Sequence, residues 1–96
     1  MSYLQIETRF PSRKSCRLAA KFFFHFAERS VTQLNPFDLS EVLPCAEDRH
    51  TLWKDVLHWH EMDGEFDATQ DYKVVDAKML FNFLAYILGG YGNYLD

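Results

Sequence analysis

The stretch SRKSCRLAAKFFFHFAERSVTQL, residues 12–34, decides the fold class, because its apolar residues recur every three or four positions. That spacing places them on one side of an α-helix, and Ser12 is a suitable N-cap residue. One apolar stripe consists of Cys16, Ala20, Phe23, Ala27, Val31 and Leu34, and a second consists of Ala19, Phe22 and Phe26. So wide an apolar face predicts a central helix that contacts two neighbours.

Two further helices are predicted on the C-terminal side. One covers residues 45–62, and the other begins at Asp76 as its cap and ends at Gly89-Gly90, since glycine readily adopts the left-handed conformation beyond a helix end. The apolar face of the first consists of Leu52, Trp53, Val56, Trp59 and His60. The main face of the second consists of Ala77, Leu80, Phe83, Leu84, Ile87 and Leu88.

Two shorter elements complete the prediction. Asn35-Pro36-Phe37-Asp38 is typical of a helix start, and a short helix to Leu43 would follow. Residues 3–10 alternate between apolar and polar, which predicts a half-buried strand; its partner is either the segment 72–75 or a second chain. The sequence thus predicts a mainly α, single-domain bundle of three to four helices over residues 1–96, with the N-terminal β-strand as an optional addition.

Composition narrows the class of protein. The chain has 96 residues, of which 48% are hydrophobic and 25% charged, as in a soluble globular domain. Its two cysteines do not make the disulfide framework of a small secreted protein, and residues 1–10 do not resemble a signal peptide. The longest apolar run, residues 79–88, is shorter than the roughly 20 residues of a membrane span. We expect a cytoplasmic protein with reduced thiols that does not bind membranes.

Charge is distributed unevenly along the chain. The net charge is −4, but residues 1–37 hold six basic and two acidic residues, whereas residues 38–96 hold four basic and twelve acidic residues. Within the second part, one short segment, residues 61–76, is markedly acidic. Its acids are Glu61, Asp63, Glu65, Asp67, Asp71 and Asp76, and only Lys73 opposes them. A dense negative surface of this kind favours association with a basic partner.

The histidines are the first candidates for a metal site. His58 and His60 would point about 200° apart on a helix, whereas a metal-binding pair needs a spacing of three or four residues. We therefore predict no metal site and no cofactor. Cys45 could be activated in the first turn of a helix, although free cysteine is more often buried, and burial is the expectation here. The alternative is a metal-dependent or thiol enzyme that uses His58, His60, Glu61 or Cys45.

A run of basic residues precedes and enters the long predicted helix. It consists of Arg9, Arg13, Lys14, Arg17 and Lys21. A nucleic-acid-binding stripe has this spacing, but an acidic protein is repelled by phosphate at long range. The sequence therefore predicts an ordinary solvated helix face, and nucleic acid is not the expected partner.

With no catalytic residues recognised, the leading hypothesis is a non-enzymatic protein-interaction module. It would be a small acidic inhibitor, of the immunity or anti-defence type, that binds a partner protein with a basic surface. The predicted binding residues are Trp59, Glu61, Asp63, Glu65, Phe66, Asp67 and Asp71. Reversing the charges of Glu65, Asp67 and Asp71 is expected to weaken binding without lowering the melting temperature. A structural homodimer, formed through the N-terminal strand edge or the Phe-rich helix faces, is the further alternative.

Overall fold

Three α-helices dominate the part of the chain that the computed structural model describes, residues 10–28 and 36–95, with side chains described at 10–25 and 36–89. The helices are α1 (Arg13–Glu28), α2 (Ala46–Trp59) and α3 (Ala77–Leu95). Strand β1 (Phe37–Asp38) and a 3-10 turn (Leu39–Glu41) precede α2. A second 3-10 turn (Asp63–Glu65) and strand β2 (Val74–Val75) precede α3. The prediction of a mainly helical small domain is confirmed.

The start of α1 is fixed by α2. The Ser15 N–H donates to Ser12 Oγ at 3.1 Å, so Ser12 is the predicted N-cap. The N–H and hydroxyl of Ser12 in turn donate to Asp55 Oδ2 at 3.1 and 3.0 Å. The buried hydroxyl of Ser15 donates to the carbonyl of Thr51, which belongs to α2 like Asp55. A carboxylate in the middle of α2 therefore sets where α1 begins.

The buried side of α1 corresponds to the second predicted stripe and not to the first. Leu18, Ala19 and Phe22 are buried, whereas Cys16, Ala20 and Phe23 are only half-buried. The predicted continuation to residue 34 falls on residues 29–35, outside the described part of the chain. The apolar core that receives this face includes Leu52, Trp53, Val56 and Leu57 from α2, Ala77, Leu80, Phe83, Leu84 and Ile87 from α3, and Phe37, Leu39, Leu43 and Val75 between the helices.

The predicted short helix before residue 43 is found only as the 3-10 turn Leu39–Glu41, and the predicted helix start at Phe37 and Asp38 is wrong. Phe37 and Asp38 instead pair antiparallel with Val75 and Val74, and the Asp38 carboxylate accepts the Ser40 N–H to start the 3-10 turn. A strand that pairs satisfies the backbone groups of Phe37 while its ring is buried. Segment 72–75 thus contains a strand, but its partner is β1; the predicted strand at residues 3–10 lies almost wholly outside the described residues.

The C-terminal helix begins as predicted and ends later than predicted. The Lys78 N–H donates to Asp76 Oδ1 at 2.8 Å, which confirms Asp76 as the N-cap. The expectation that Gly89-Gly90 ends the helix is wrong, because α3 continues to Leu95. A glycine in a helix interior costs about 1 kcal/mol but does not prevent helix formation. No helix among the described residues is both long and apolar enough to cross a membrane.

Arg49 is buried although it carries a charge, with 3% of its surface exposed. Its Nε–H donates to the carbonyl of Asp71 at 2.7 Å, and its Nη1 donates to the carbonyls of Leu43 and Pro44 at 2.8 and 3.0 Å. A buried guanidinium must be hydrogen-bonded to be tolerated. Arg49 thereby joins α2 to the segment before it and to the segment before β2.

We expect Arg49→Met to lower the free energy of unfolding by about 3 kcal/mol, since hydrogen bonds from a charged group contribute roughly 1.5–3 kcal/mol each and relief of the buried charge offsets part of the loss. Urea denaturation measures the change. Arg17→Met, on the exposed side of α1, is the control and should change stability by less than about 0.5 kcal/mol. Equal stability of the two variants would contradict the role given to Arg49.

Candidate protein-interaction surface

The C-terminal end of α2 is closed by a Schellman motif. The Met62 N–H donates to the Leu57 carbonyl at 2.8 Å, and the Glu61 N–H donates to the His58 carbonyl at 3.0 Å. Glu61 therefore has a positive φ of 58°, a conformation that favours glycine. The chain turns away from the helix here, and the exposed side chain of Glu61 lies at the turn.

A hydrogen bond bridges the last turn of α2 and the segment that follows it. His58 Nδ1 lies 2.6 Å from Asp63 Oδ1, and both side chains are more than half exposed. Asp63 begins the 3-10 turn that ends at Glu65. By contrast, the carboxylates of Glu61 and Glu65 make no hydrogen bond or ion pair with the residues that the structure describes. Two exposed carboxylates without a partner thus lie next to one that is hydrogen-bonded.

Aromatic rings from two helices stack next to this turn. The rings of Trp59 and Tyr86 are 4.1 Å apart and nearly parallel, and Phe10 stacks on Tyr86 at 6.1 Å. The edge of the Phe10 ring meets His58 at 4.7 Å. Trp59 and Tyr86 remain 38% and 36% exposed. Large rings are held in fixed positions at the surface, as in protein-binding sites.

We call the residues that share this end of α2 the cap surface. Met62 belongs to it because its side chain is 38% exposed and its carbonyl accepts the Glu65 N–H. The cap surface is formed by Trp59, Glu61, Met62, Glu65 and Tyr86, with the His58–Asp63 pair at its side. Sequence reasoning did not identify Met62 or Tyr86. The sequence feature that could have indicated a surface role for Tyr86 is its position between Leu84 and Ile87, next to the apolar face of α3.

Phe66 belongs to a second group of rings farther back along α2. It stacks on Tyr72 at 5.6 Å, meets His50 edge-on at 5.8 Å, and lies under Lys54, whose Nζ is 5.8 Å from the ring centroid. The ring contact of Trp59, in comparison, is with Tyr86. The predicted binding residues Trp59 and Phe66 are therefore members of different ring clusters, and Phe66 is half-buried.

Asp67 and Asp71 take part in the folding of the loop that follows α2. Asp67 Oδ1 accepts the N–H and the hydroxyl of Thr69 at 2.9 and 2.6 Å, and Asp71 Oδ1 accepts the Lys73 N–H at 3.1 Å. Reversing either charge would remove these bonds. The expectation that their reversal leaves the melting temperature unchanged is therefore revised, and Glu61 and Glu65 are the acids whose charge can be changed at low structural cost.

Hydrogen bonding also keeps two carboxylates charged under acidic conditions. Donation by the Thr69 hydroxyl and N–H lowers the pKa of Asp67 below its ordinary value of 3.8. Donation by Ser40 lowers the pKa of Asp38 in the same way. Both carboxylates thus add to the negative charge of the protein at neutral pH and well below it.

The residues of the enzyme alternative are dispersed. His58 Nδ1–H donates to Asp63, whereas His60 Nε2–H donates to the carbonyl of Met79 at 3.1 Å. Cys45 is exposed at the N-cap of α2, so the expectation of burial is wrong for this cysteine. Among the residues with described positions, no three His, Cys, Asp or Glu side chains lie close enough together to hold a metal ion.

Comparisons with protein-family models, with curated proteins and with solved structures found no match to this chain.

We expect Glu61→Gly to raise the free energy of unfolding by about 1 kcal/mol, because glycine adopts a positive φ without the steric cost that glutamate has there. Thermal unfolding measures the change. Glu65→Gly is the matched control, since Glu65 lacks a positive φ, and it should lower stability by roughly 0.5–1 kcal/mol. A loss of stability in both variants would contradict the role assigned to Glu61 in the Schellman motif.

We expect Thr69→Val to raise the pKa of Asp67 toward 3.8, since the hydroxyl that donates to it is removed. The lowered pKa in the folded state stabilises the protein above pH 4, and this stabilisation disappears as the pH falls through the folded pKa. The stability difference between wild type and variant should therefore shrink on acidification. An NMR titration of the Asp67 carboxyl carbon measures the pKa directly; a value at or above 3.8 in the wild type would contradict the assignment.

Proposed function

We propose that this protein is a protein-interaction module that binds a partner with a basic surface through the cap surface. The observation that supports this most directly is the stacked, partly exposed pair Trp59 and Tyr86 beside the uncompensated carboxylates of Glu61 and Glu65. Exposed aromatics surrounded by charge are the usual composition of a binding site for another protein.

The two glutamates would act mainly on association. Exposed charges at the rim of an interface attract and orient an oppositely charged partner, and they change the association rate more than the dissociation rate. Glu61 and Glu65 suit this role because neither carboxylate is neutralised by the described part of the chain. Asp67, in the loop that follows, adds negative charge, since its lowered pKa keeps it ionised.

The two rings would act mainly on dissociation. Trp59 is held in place by its 4.1 Å stack on Tyr86, so little side-chain freedom remains to be lost when a partner covers it. Rigid tryptophan and tyrosine side chains contribute most of the binding energy in many interfaces. Met62 offers an adaptable apolar contact next to them.

The backbone at Glu61 is a further argument for a binding role. Its positive φ costs about 1 kcal/mol relative to glycine, and nothing in the described contacts of its side chain recovers that cost. Strained positions of this kind concentrate at functional sites. A negative charge at this turn would be retained because a partner binds it.

A surface of this chemistry suits an inhibitor of a protein that itself binds a polyanion. Its carboxylates would occupy the basic surface of the partner in place of phosphate groups, while its rings would fill the spaces between the basic side chains. This is the immunity or anti-defence class of small acidic protein, proposed here on chemistry alone.

We expect Glu61→Lys to slow association with the partner roughly tenfold, because an attractive rim charge becomes repulsive. The partner is first captured from an extract of the cells of origin with the tagged full chain, and its binding rates are then measured by surface plasmon resonance. Glu47→Lys is the matched control: it makes the same charge change at the other end of α2, roughly 18 Å away along the helix axis, and should retain the wild-type rate.

A second variant, Trp59→Ala, should weaken affinity by at least about 2 kcal/mol, with the change mainly in the dissociation rate. Circular dichroism checks that each variant is folded. A captured partner that binds Glu61→Lys and Glu47→Lys at the same rate would refute the role of the cap surface. So would a partner whose own binding surface is acidic.

A further inference from the structure

A second charged surface lies on the outer side of α1. Arg13, Arg17 and Lys21 are exposed, and Phe24 is 73% exposed, far more than any other phenylalanine whose side chain is described. Phe24 belongs neither to the apolar core nor to the partly buried side chains packed against it. Its ring is therefore available for contact with another molecule.

Helix geometry places these four side chains on one face. Residues four apart are about 6 Å apart along the axis and drift by about 40°, so the three cations form a slanted row. Phe24 falls within the same arc, about 160° from the buried ring of Phe22 when each residue advances about 100°. We call Arg13, Arg17, Lys21 and Phe24 the α1 outer face.

Acidic residues are absent from the part of α1 whose side chains are described, residues 13–25. The one acid of the helix, Glu28, is its last residue and lies four positions beyond Phe24. The neighbouring acid on α2, Asp48, is paired with Lys14 at 3.2 Å, which leaves the other cations to solvent. The positive charge of this face is therefore not neutralised by its surroundings in the described part of the chain.

We propose that the α1 outer face binds single-stranded nucleic acid, with the three cations on successive phosphates and the Phe24 ring stacked on an unpaired base. Single-strand binding sites combine a basic track with aromatic side chains on which bases stack. The row of cations and the projecting ring supply these two components on one rigid helix. This site uses none of the residues of the cap surface and does not rest on the function proposed for it.

Other polyanions fit the face less well. A base inside a duplex is already stacked and cannot receive the ring, so duplex DNA would use the cations alone. An anionic membrane is bound by helices with a broad apolar face, whereas among the side chains described on α1, residues 13–25, Phe24 is the only large apolar one in this arc. The exposed ring of Phe24 therefore favours a single-stranded nucleic acid over duplex DNA and over an anionic membrane.

The net charge of −4 does not prevent binding at this face. The acids of α2 that contact α1 are engaged there, Asp48 with Lys14 and Asp55 with Ser12, and charges more than about 10 Å away are largely screened at 0.1 M salt. Repulsion of phosphate by the whole molecule, on which the sequence expectation was based, is therefore a weaker effect than the local attraction.

Fluorescence anisotropy with a labelled twelve-nucleotide oligothymidine tests the proposal on the full chain. The logarithm of the binding constant should fall with the logarithm of salt concentration with a slope of about −2, as expected for three phosphates on a single strand. Phe24→Ala should weaken binding roughly 5- to 100-fold through loss of stacking. Phe24→Trp should restore it, whereas Phe24→Leu, which keeps apolar area without a π-face, should not.

Matched controls separate this site from general electrostatics. Lys21→Gln should weaken binding and reduce the salt slope by about 0.7. Lys78→Gln, which removes another exposed cation, on α3, should leave both unchanged. The proposal is overturned if the full chain does not bind the oligonucleotide at 50 mM salt. It is equally overturned if Phe24→Ala and Phe24→Leu bind like wild type, or if vesicles with one-third phosphatidylserine are bound more tightly than the oligonucleotide.

Discussion

The guanidinium of Arg49 donates to three backbone carbonyls that belong to two separate segments, and the arrangement of the loops follows from it. A buried charge without partners would cost several kcal/mol, so the carbonyls of Leu43, Pro44 and Asp71 must converge on one point beside α2. That convergence brings residue 73 next to residue 39, where the Leu39 N–H donates to the Lys73 carbonyl. The pairing of β1 with β2 is a consequence of the same geometry.

The cap surface depends on this constraint as well. The chain leaves α2 at the left-handed residue Glu61. It must then run back along the helix, so that the carbonyl of Asp71 can accept the hydrogen bond from Arg49. Two aspartates stabilise the turns of this returning segment. The carboxylate of Asp67 accepts the Thr69 N–H, and the carboxylate of Asp71 accepts the Lys73 N–H. The acids of segment 61–76 are consequently of two kinds. Some are committed to the fold, while Glu61 and Glu65 stand free of the described structure and are available to a partner.

The charge asymmetry of the sequence becomes two surfaces in the structure. The bonds from Ser12 to Asp55 fix α1 on α2 such that Phe22 is buried and Phe24 projects outward with the cations. The acidic cap surface is formed by the C-terminal end of α2, one turn beyond Asp55, and by α3. The two surfaces share no side chain, so each proposed binding role is tested by its own substitutions.

The sequence by itself determined the helices and their starts, because periodicity and capping by Ser12 and Asp76 depend on residues three or four apart. It also indicated the acidic segment and Trp59. Only the tertiary structure decided which stripe of α1 is buried, that residues 37–38 form a strand, and that Tyr86 stacks on Trp59. These features depend on contacts between residues more than 25 positions apart, and no local pattern reports such contacts. Arg49 shows the same limit at shorter separations: an arginine on a predicted helix is expected to be solvent-exposed, and its acceptors, which lie 5, 6 and 22 positions away, belong to two segments whose placement beside α2 is tertiary.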